Sequence, residues 1–305
     1  MQKRVLVIGG SLFTGRVFNI LASRTGDYEL HVVNRGHYPL NIETATEYKC
    51  DRRAARLLSR MIPDDIVFDA VVDFCAYNAG DVAPLISAFS GRIKHYICFS
   101  TASLYDPRIS RPKTETDPLV NLDGAGQVDD YLRGKLAVER ELIDSCANHG
   151  IPYTILRPTF IYGPLNYAPR ESYFIELIAR KHTVPVPMDA TASWNFVYVK
   201  DIANALMLML GDARAHNQIF NLAASEQLNY TRLMGEFERL NGGSFDTREV
   251  TVDEIETERI PLPFPLTDDD LTSGEKFAKT FDFEYTPFPD GMENTFKSFY
   301  SLYVS

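Results

Sequence analysis

Short apolar runs closed by turn residues alternate along this chain with stretches of helical period. Val5 to Ile8 is a continuous apolar run that ends at Gly9-Gly10, the pattern of a strand buried on both faces. Phe13 to Ser23 follows, with Phe13, Val17, Ile20 and Leu21 on one helical face. Leu30 to Val33 predicts a second strand, closed by Asn34-Arg35-Gly36. Glu47 to Cys50 predicts a third, followed by a helix carrying Leu57, Leu58 and Met61. Ala70 to Phe74 and Tyr96 to Phe99 read as buried strands around a helix from Asp81 to Phe89. Asp106 to Asp130 is rich in Pro, Asp, Arg and Gly and has no period, so it predicts a long, mobile loop near the functional site. A helix over Tyr131 to Asn148 stops at Gly150 and Pro152, and Tyr153 to Leu156 returns to strand. Helical patterns recur near 172–181, 201–211, 231–240 and 290–303. Strands alternating with helices predict parallel pairing through right-handed crossovers, hence an α/β fold with a doubly wound parallel sheet.

Composition narrows the function classes. The chain has 305 residues, 45% of them hydrophobic, enough for a sizeable core. Its formal net charge is -10. An acidic chain without basic runs repels nucleic acid and anionic membranes, so neither is an expected partner. Cys50, Cys75, Cys98 and Cys146 form no CxxC, and the histidines lack zinc-ligand spacing, so free thiols and no metal are expected. The first apolar run is too short for a signal sequence, and no stretch has the length of a membrane span. These features predict a cytoplasmic protein.

Two local patterns carry chemistry. Gly9-Gly10-Ser11-Leu12-Phe13-Thr14-Gly15 joins the first strand to the first helix. Glycines in such a turn let the backbone approach a pyrophosphate, and the helix start offers free N–H groups to the anion. Gly9 makes the tight turn and Gly15 permits close helix–strand packing. The usual second glycine is replaced by Leu12, with Gly10 and Ser11 as compensation. At the end of the second strand, Asn34 and Arg35 offer no acid for a ribose 2′-hydroxyl. Arg35 leans towards a 2′-phosphate, and a solvated turn arginine is the alternative. Asp51 reads either as an adenine-side contact or as a helix cap.

The second pattern is Tyr131 and Lys135 on one face of a helix, with Ser100-Thr101 ending an earlier strand. A free tyrosine has a pKa of about 10, too high for a base at neutral pH. A nearby ammonium and a positive nicotinamide ring favour the phenolate. Thr101 can hold a substrate oxygen near Tyr131, and Lys135 can also bind ribose hydroxyls. These groups predict a dinucleotide, NAD or NADP, beside a tyrosine that moves a proton.

The motifs resemble those of the extended short-chain dehydrogenase/reductase family, which includes nucleotide-sugar epimerases and dehydratases. The likeness runs through Val7 to Gly15, Phe99 to Tyr105, Tyr131 to Lys135, Leu156 to Pro164 and Phe196 to Ala203. It implies a Rossmann-type sheet over residues 1–164, to which 194–225 return, and a smaller substrate-binding lobe mainly within 165–305. It implies Thr101, Tyr131 and Lys135 as catalytic residues, a small-molecule substrate, usually a nucleotide-activated sugar, and a homodimer. Several departures bear on the substrate. Leu12 also occurs in an atypical subset that includes plastid stem-loop RNA-binding relatives. Gly134 stands one residue later than the family's glycine. Trp194-Asn195 replaces an Arg-Asp pair whose arginine contacts a nucleotide diphosphate. Asn166 and Arg170 are alternative substrate contacts, and Trp194 either stacks on a ring or belongs to the core. A dehydratase would need an acid and a base after the catalytic Thr; Ala102-Ser103 supplies neither. Epimerase, net reductase of a non-nucleotide alcohol or ketone, and cofactor-binding regulator or RNA-binding protein remain the readings.

Overall fold

The computed structural model describes residues 2–122 and 130–304. Its strands are β1 (Lys3–Ile8), β2 (Tyr28–Asn34), β3 (Ala45–Lys49), β4 (Ala70–Asp73), β5 (Tyr96–Phe99), β6 (Tyr153–Pro158), β7 (Phe160–Tyr162), β8 (Val184–Pro187), β9 (Trp194–Tyr198), β10 (Gln218–Leu222), β11 (Gln227–Leu228) and β12 (Thr247–Val250). Its helices are α1 (Phe13–Thr25), α2 (Ala55–Met61), α3 (Ala83–Ala88), α4 (Asp130–His149), α5 (Glu171–Ala179), α6 (Val199–Met209), α7 (Tyr230–Asn241), α8 (Val252–Glu258), α9 (Glu275–Phe281) and α10 (Phe288–Val304). Seven strands form one parallel sheet in the order β10-β6-β5-β4-β1-β2-β3. This is the expected Rossmann-type architecture.

Burial of both sheet faces explains the uninterrupted apolar strands. In β1, Val5 and Val7 enter one core with Phe18 of α1 and Leu206 of α6, while Leu6 and Ile8 enter the other with Leu58 of α2 and Leu142 of α4. The sheet order reverses between β1 and β4, so their C-terminal ends open a crevice where such folds bind ligands. After β6 the chain builds a smaller lobe, in which β7 and β9 pair in a three-stranded sheet and β8 pairs with β12. It then returns to the large sheet as β10, beside β6.

The described part of the segment predicted as a mobile loop is tied down. Lys113 N donates to Leu271 O, Val120 N donates to Leu104 O, and Arg111 grips Asp117. Residues 123–129 of that segment lie outside the described residues. Among the described residues no helix is long and apolar enough to cross a membrane.

Candidate active site

The glycine turn forms a cradle at the end of β1. Gly9 and Gly10 have φ of +90° and +89°, a region that a Cβ disfavours. A Cβ on Gly10 would stand 2.6 Å from Asn19 Nδ2, and one on Gly15 would stand 2.4 Å from Gly10 Cα. Asn19 Nδ2 donates to Gly10 O at 3.1 Å, and Arg16 donates to Ser11 O at 2.9 Å, which fixes the turn from inside the helix. Leu12 precedes α1 in extended conformation, and Phe13 enters the helix with φ +35°. Leu12, at the place of the usual second glycine, thus adopts an ordinary extended backbone, and the left-handed non-glycine residue of the turn is Phe13.

This cradle is one wall of a crevice of about 630 Å³. Gly9, Gly10, Ser11, Leu12, Phe13 and Gly15 line it, with Asn34, Arg35 and Asp51 beyond them. Thr101, Tyr131, Lys135, Asn166 and Arg170 line the other part. The crevice fits a dinucleotide. The missing Cβ of Gly10 leaves the backbone open, and the buried Ser11 Oγ and Ser100 Oγ on its lining have no hydrogen-bond partner among the described residues. Asn34 is occupied internally. Its Nδ2 donates to Glu47 at 3.1 Å and its Oδ1 accepts from Gly36 N at 2.7 Å.

Lys135 is buried at the crevice floor. Its ammonium donates to Ala76 O at 2.9 Å and to Phe99 O at 2.8 Å. Burial pushes it below the usual lysine range. It lies 4.5 Å from the ring centre of Tyr77 and 5.9 Å from that of Tyr131. Thr101 Oγ1 accepts from Ser103 N at 3.2 Å and caps the short turn after β5.

Sequence reasoning missed Tyr77, which lines the same crevice and whose ring lies 6.4 Å from that of Tyr131. Its position just past the end of β4 was the available signal, because strand ends line such crevices. The turn that holds Tyr77 explains Gly134. A Cβ there would stand 2.1 Å from Tyr77 O, so α4 packs against a carbonyl. Gly134→Ala is expected to cost about 1–3 kcal/mol, read as a lower denaturation midpoint at unchanged m-value.

Beneath Tyr77 lies a buried ion pair that the sequence did not announce. Arg52 donates to Asp73 Oδ1 at 2.6 Å and Oδ2 at 2.7 Å, and also to Asp81 O at 2.5 Å. Tyr96 OH donates to Asp73 at 2.6 Å. The Asp81 carboxylate accepts from Tyr77 N and Asn78 N. Burial alone would raise the pKa of Asp73, but Arg52, Tyr96 OH and Cys75 N together hold its carboxyl below the usual range.

The structure does not bring Trp194 to the crevice. It is fully buried, stacked on Phe264 at 5.0 Å and edge-on to Tyr230 at 5.0 Å, so its role is core packing rather than substrate stacking. Asn166 lines the crevice, yet its amide is committed. Nδ2 donates to both Glu171 carboxylate oxygens at 3.1 Å, and Oδ1 accepts from Ala168 N at 3.0 Å.

Residues 5–223 match the model of the NAD dependent epimerase/dehydratase family. A chloroplast stem-loop binding protein of Arabidopsis thaliana is 26% identical over 246 residues, which cover 76% of this chain and 61% of that protein. The chain thus spans less than two thirds of that relative. The UDP-glucose 4-epimerase of Thermotoga maritima, solved with UDP-glucose, superposes with a TM-score of 0.80 at 18% identity, covering 98% of this chain and 99% of that one. The UDP-glucuronic acid 4-epimerase of Bacillus cereus, solved with NAD, gives 0.78 at 18% identity, with 98% and 99% covered. At such identity the likeness is one of fold.

Proposed function

The chain belongs to the NAD dependent epimerase/dehydratase family, and from that premise we propose that it is an NAD(P)-dependent epimerase or related oxidoreductase acting on a sugar hydroxyl or ketone. One observation carries the reading: the glycine cradle, Thr101, Tyr131 and Lys135 line a single crevice at the C-terminal ends of the strands. A bound nicotinamide dinucleotide supplies a hydride acceptor and donor, and the chain supplies the rest. Gly9, Gly10, Ser11 and the start of α1 hold the pyrophosphate. Lys135 contributes a remaining N–H to the ribose, and its positive charge is what a neighbouring phenolate requires. Thr101 Oγ1 exchanges its local partner Ser103 for the substrate oxygen. Tyr131 takes the hydroxyl proton as the carbon is oxidised and returns it as the carbon is reduced. A hydride given back to the opposite face of the oxidised carbon would invert it, and the dinucleotide would then not be consumed.

The UDP-glucose bound in the Thermotoga maritima neighbour supports a nucleotide-activated sugar as substrate. Arg35, exposed on the crevice beyond β2, supports NADP over NAD. The net charge of -10 stands against RNA binding. The test is calorimetric titration with NAD+ and NADP+, with mass spectrometry of small molecules released on denaturation. Saturable binding of one dinucleotide per chain is expected. A protein that carries none and takes up neither would end this reading.

A further inference from the structure

The ammonium of Lys135 is a buried charge, and burying a charge is costly unless something offsets it. Among the described residues no carboxylate is available to it. Asp73 of β4 is gripped by Arg52 and accepts from Tyr96 OH. Glu139, one turn further along α4, is held by Arg157 at 2.9 and 2.6 Å. The thiols of Cys75 and Cys98 also face the ammonium. Burial pushes both up, Cys75 to about 11, so neither is charged at neutral pH. Arg52 adds a second cation from the loop before α2.

Two carbonyls and two rings remain. The ammonium donates to Ala76 O and Phe99 O and lies over the rings of Tyr77 and Tyr131. The Tyr77 ring is the nearer, 4.5 Å from Nζ to its centre against 5.9 Å. An aromatic face is the negative end of the ring quadrupole, and it attracts a cation more strongly where water is excluded. The backbone holds this ring in place. Tyr77 N donates to Asp81 at 2.9 Å, and Arg52 donates to Asp81 O at 2.5 Å. Tyr77 O packs on Gly134, the residue before Lys135. The turn after β4 thus wraps the ammonium with a carbonyl from Ala76 and a ring from Tyr77. None of these anchors runs through the ring itself.

We infer that Tyr77 is a positioning residue for the reaction: its ring face stands in for a counter-ion to the Lys135 ammonium and keeps that charge beside the Tyr131 phenol. The part in the reaction rests on the enzymatic reading above. The hold on the ammonium is measured without dinucleotide, so the two fail separately.

The full chain, labelled with 13C at lysine Cε, reports the titration of Lys135 by NMR, and Lys135→Met identifies its resonance. The ring favours the charged form, so its removal lets the proton leave at lower pH. Tyr77→Leu and Tyr77→Gln are expected to lower the Lys135 midpoint by about one pH unit, a roughly tenfold loss of proton affinity. Tyr77 is 42% exposed, so these replacements leave the core intact. Tyr77→Phe keeps the face and should titrate near wild type. In the loaded enzyme, the alkaline limb of the turnover profile should move down in the Leu and Gln variants by the same amount as the resonance. An unchanged midpoint in both variants, or a limb that does not follow the resonance, overturns the inference and leaves the enzymatic reading standing. A midpoint lowered equally in Tyr77→Phe assigns the hold to the hydroxyl and overturns the part of the ring. A wild type that takes up no dinucleotide overturns the enzymatic reading and, with it, the part of Tyr77 in a reaction.

Discussion

Turnover in a Tyr131→Phe variant is expected to fall about 10²- to 10⁴-fold, the usual contribution of a positioned acid–base group, while dinucleotide affinity stays at the wild-type level. The substitution removes one oxygen from an exposed ring on the first turn of α4 and leaves the buried Lys135 and its two carbonyl bonds in place. Fold and cofactor site should therefore persist. The measurements are the rate of epimer formation by NMR with a sugar substrate, and dinucleotide binding by calorimetry. Equal turnover in variant and wild type would move the proton transfer elsewhere. Tyr77 would be the next residue to replace, because its ring lies nearer the Lys135 ammonium.

Arg52→Met should have the largest effect on stability, a loss of about 3–5 kcal/mol at neutral pH, because it leaves the Asp73 carboxylate buried without its cation. The pH dependence fixes the cause. In wild type the Asp73 carboxyl is held below its ordinary value near 3.8. Its contribution is present above that value and is lost as pH falls through the lower folded value. In the variant the buried carboxylate lacks its partner, and protonation relieves it. The gap between the two proteins should be widest near neutrality and narrow below about pH 4. Adding Asp73→Asn should recover part of the loss at neutral pH. Urea denaturation across pH would show this, and a gap that does not change with pH would mean that packing, not charge, holds this corner.

The parts of this fold that the sequence disclosed are those whose signal is local. β1 and β5 are apolar runs closed by turns, and α1 and α4 have period and, at α4, a glycine stop with φ +65° at Gly150. The strands of the smaller lobe escaped notice. β7 has three residues and β11 two, and both pair with β9, far away in sequence. No window on the chain encodes such pairing. The candidate site divides the same way. Tyr131, Lys135, Thr101 and the glycine turn have spacing or a strand end to mark them. Tyr77 and Arg52 matter through contacts with distant residues, and Arg52 reads in sequence as one more charge in Asp51-Arg52-Arg53. Trp194 was open to two readings because burial is a property of Phe264 and Tyr230 around it, not of its own neighbours in the chain.

The return of β10 to the large sheet has a consequence for synthesis. β6 is complete at Pro158, but its outer neighbour begins only at Gln218. At about 5–20 residues per second, the ribosome needs roughly 3–12 s to supply it. Throughout that interval the nascent sheet ends in an unpaired strand carrying Ile155 and Leu156, the kind of border that recruits other chains. Translation arrested between these two points yields a product prone to aggregate, although every residue of the glycine cradle and of the Tyr131–Lys135 pair has already been made.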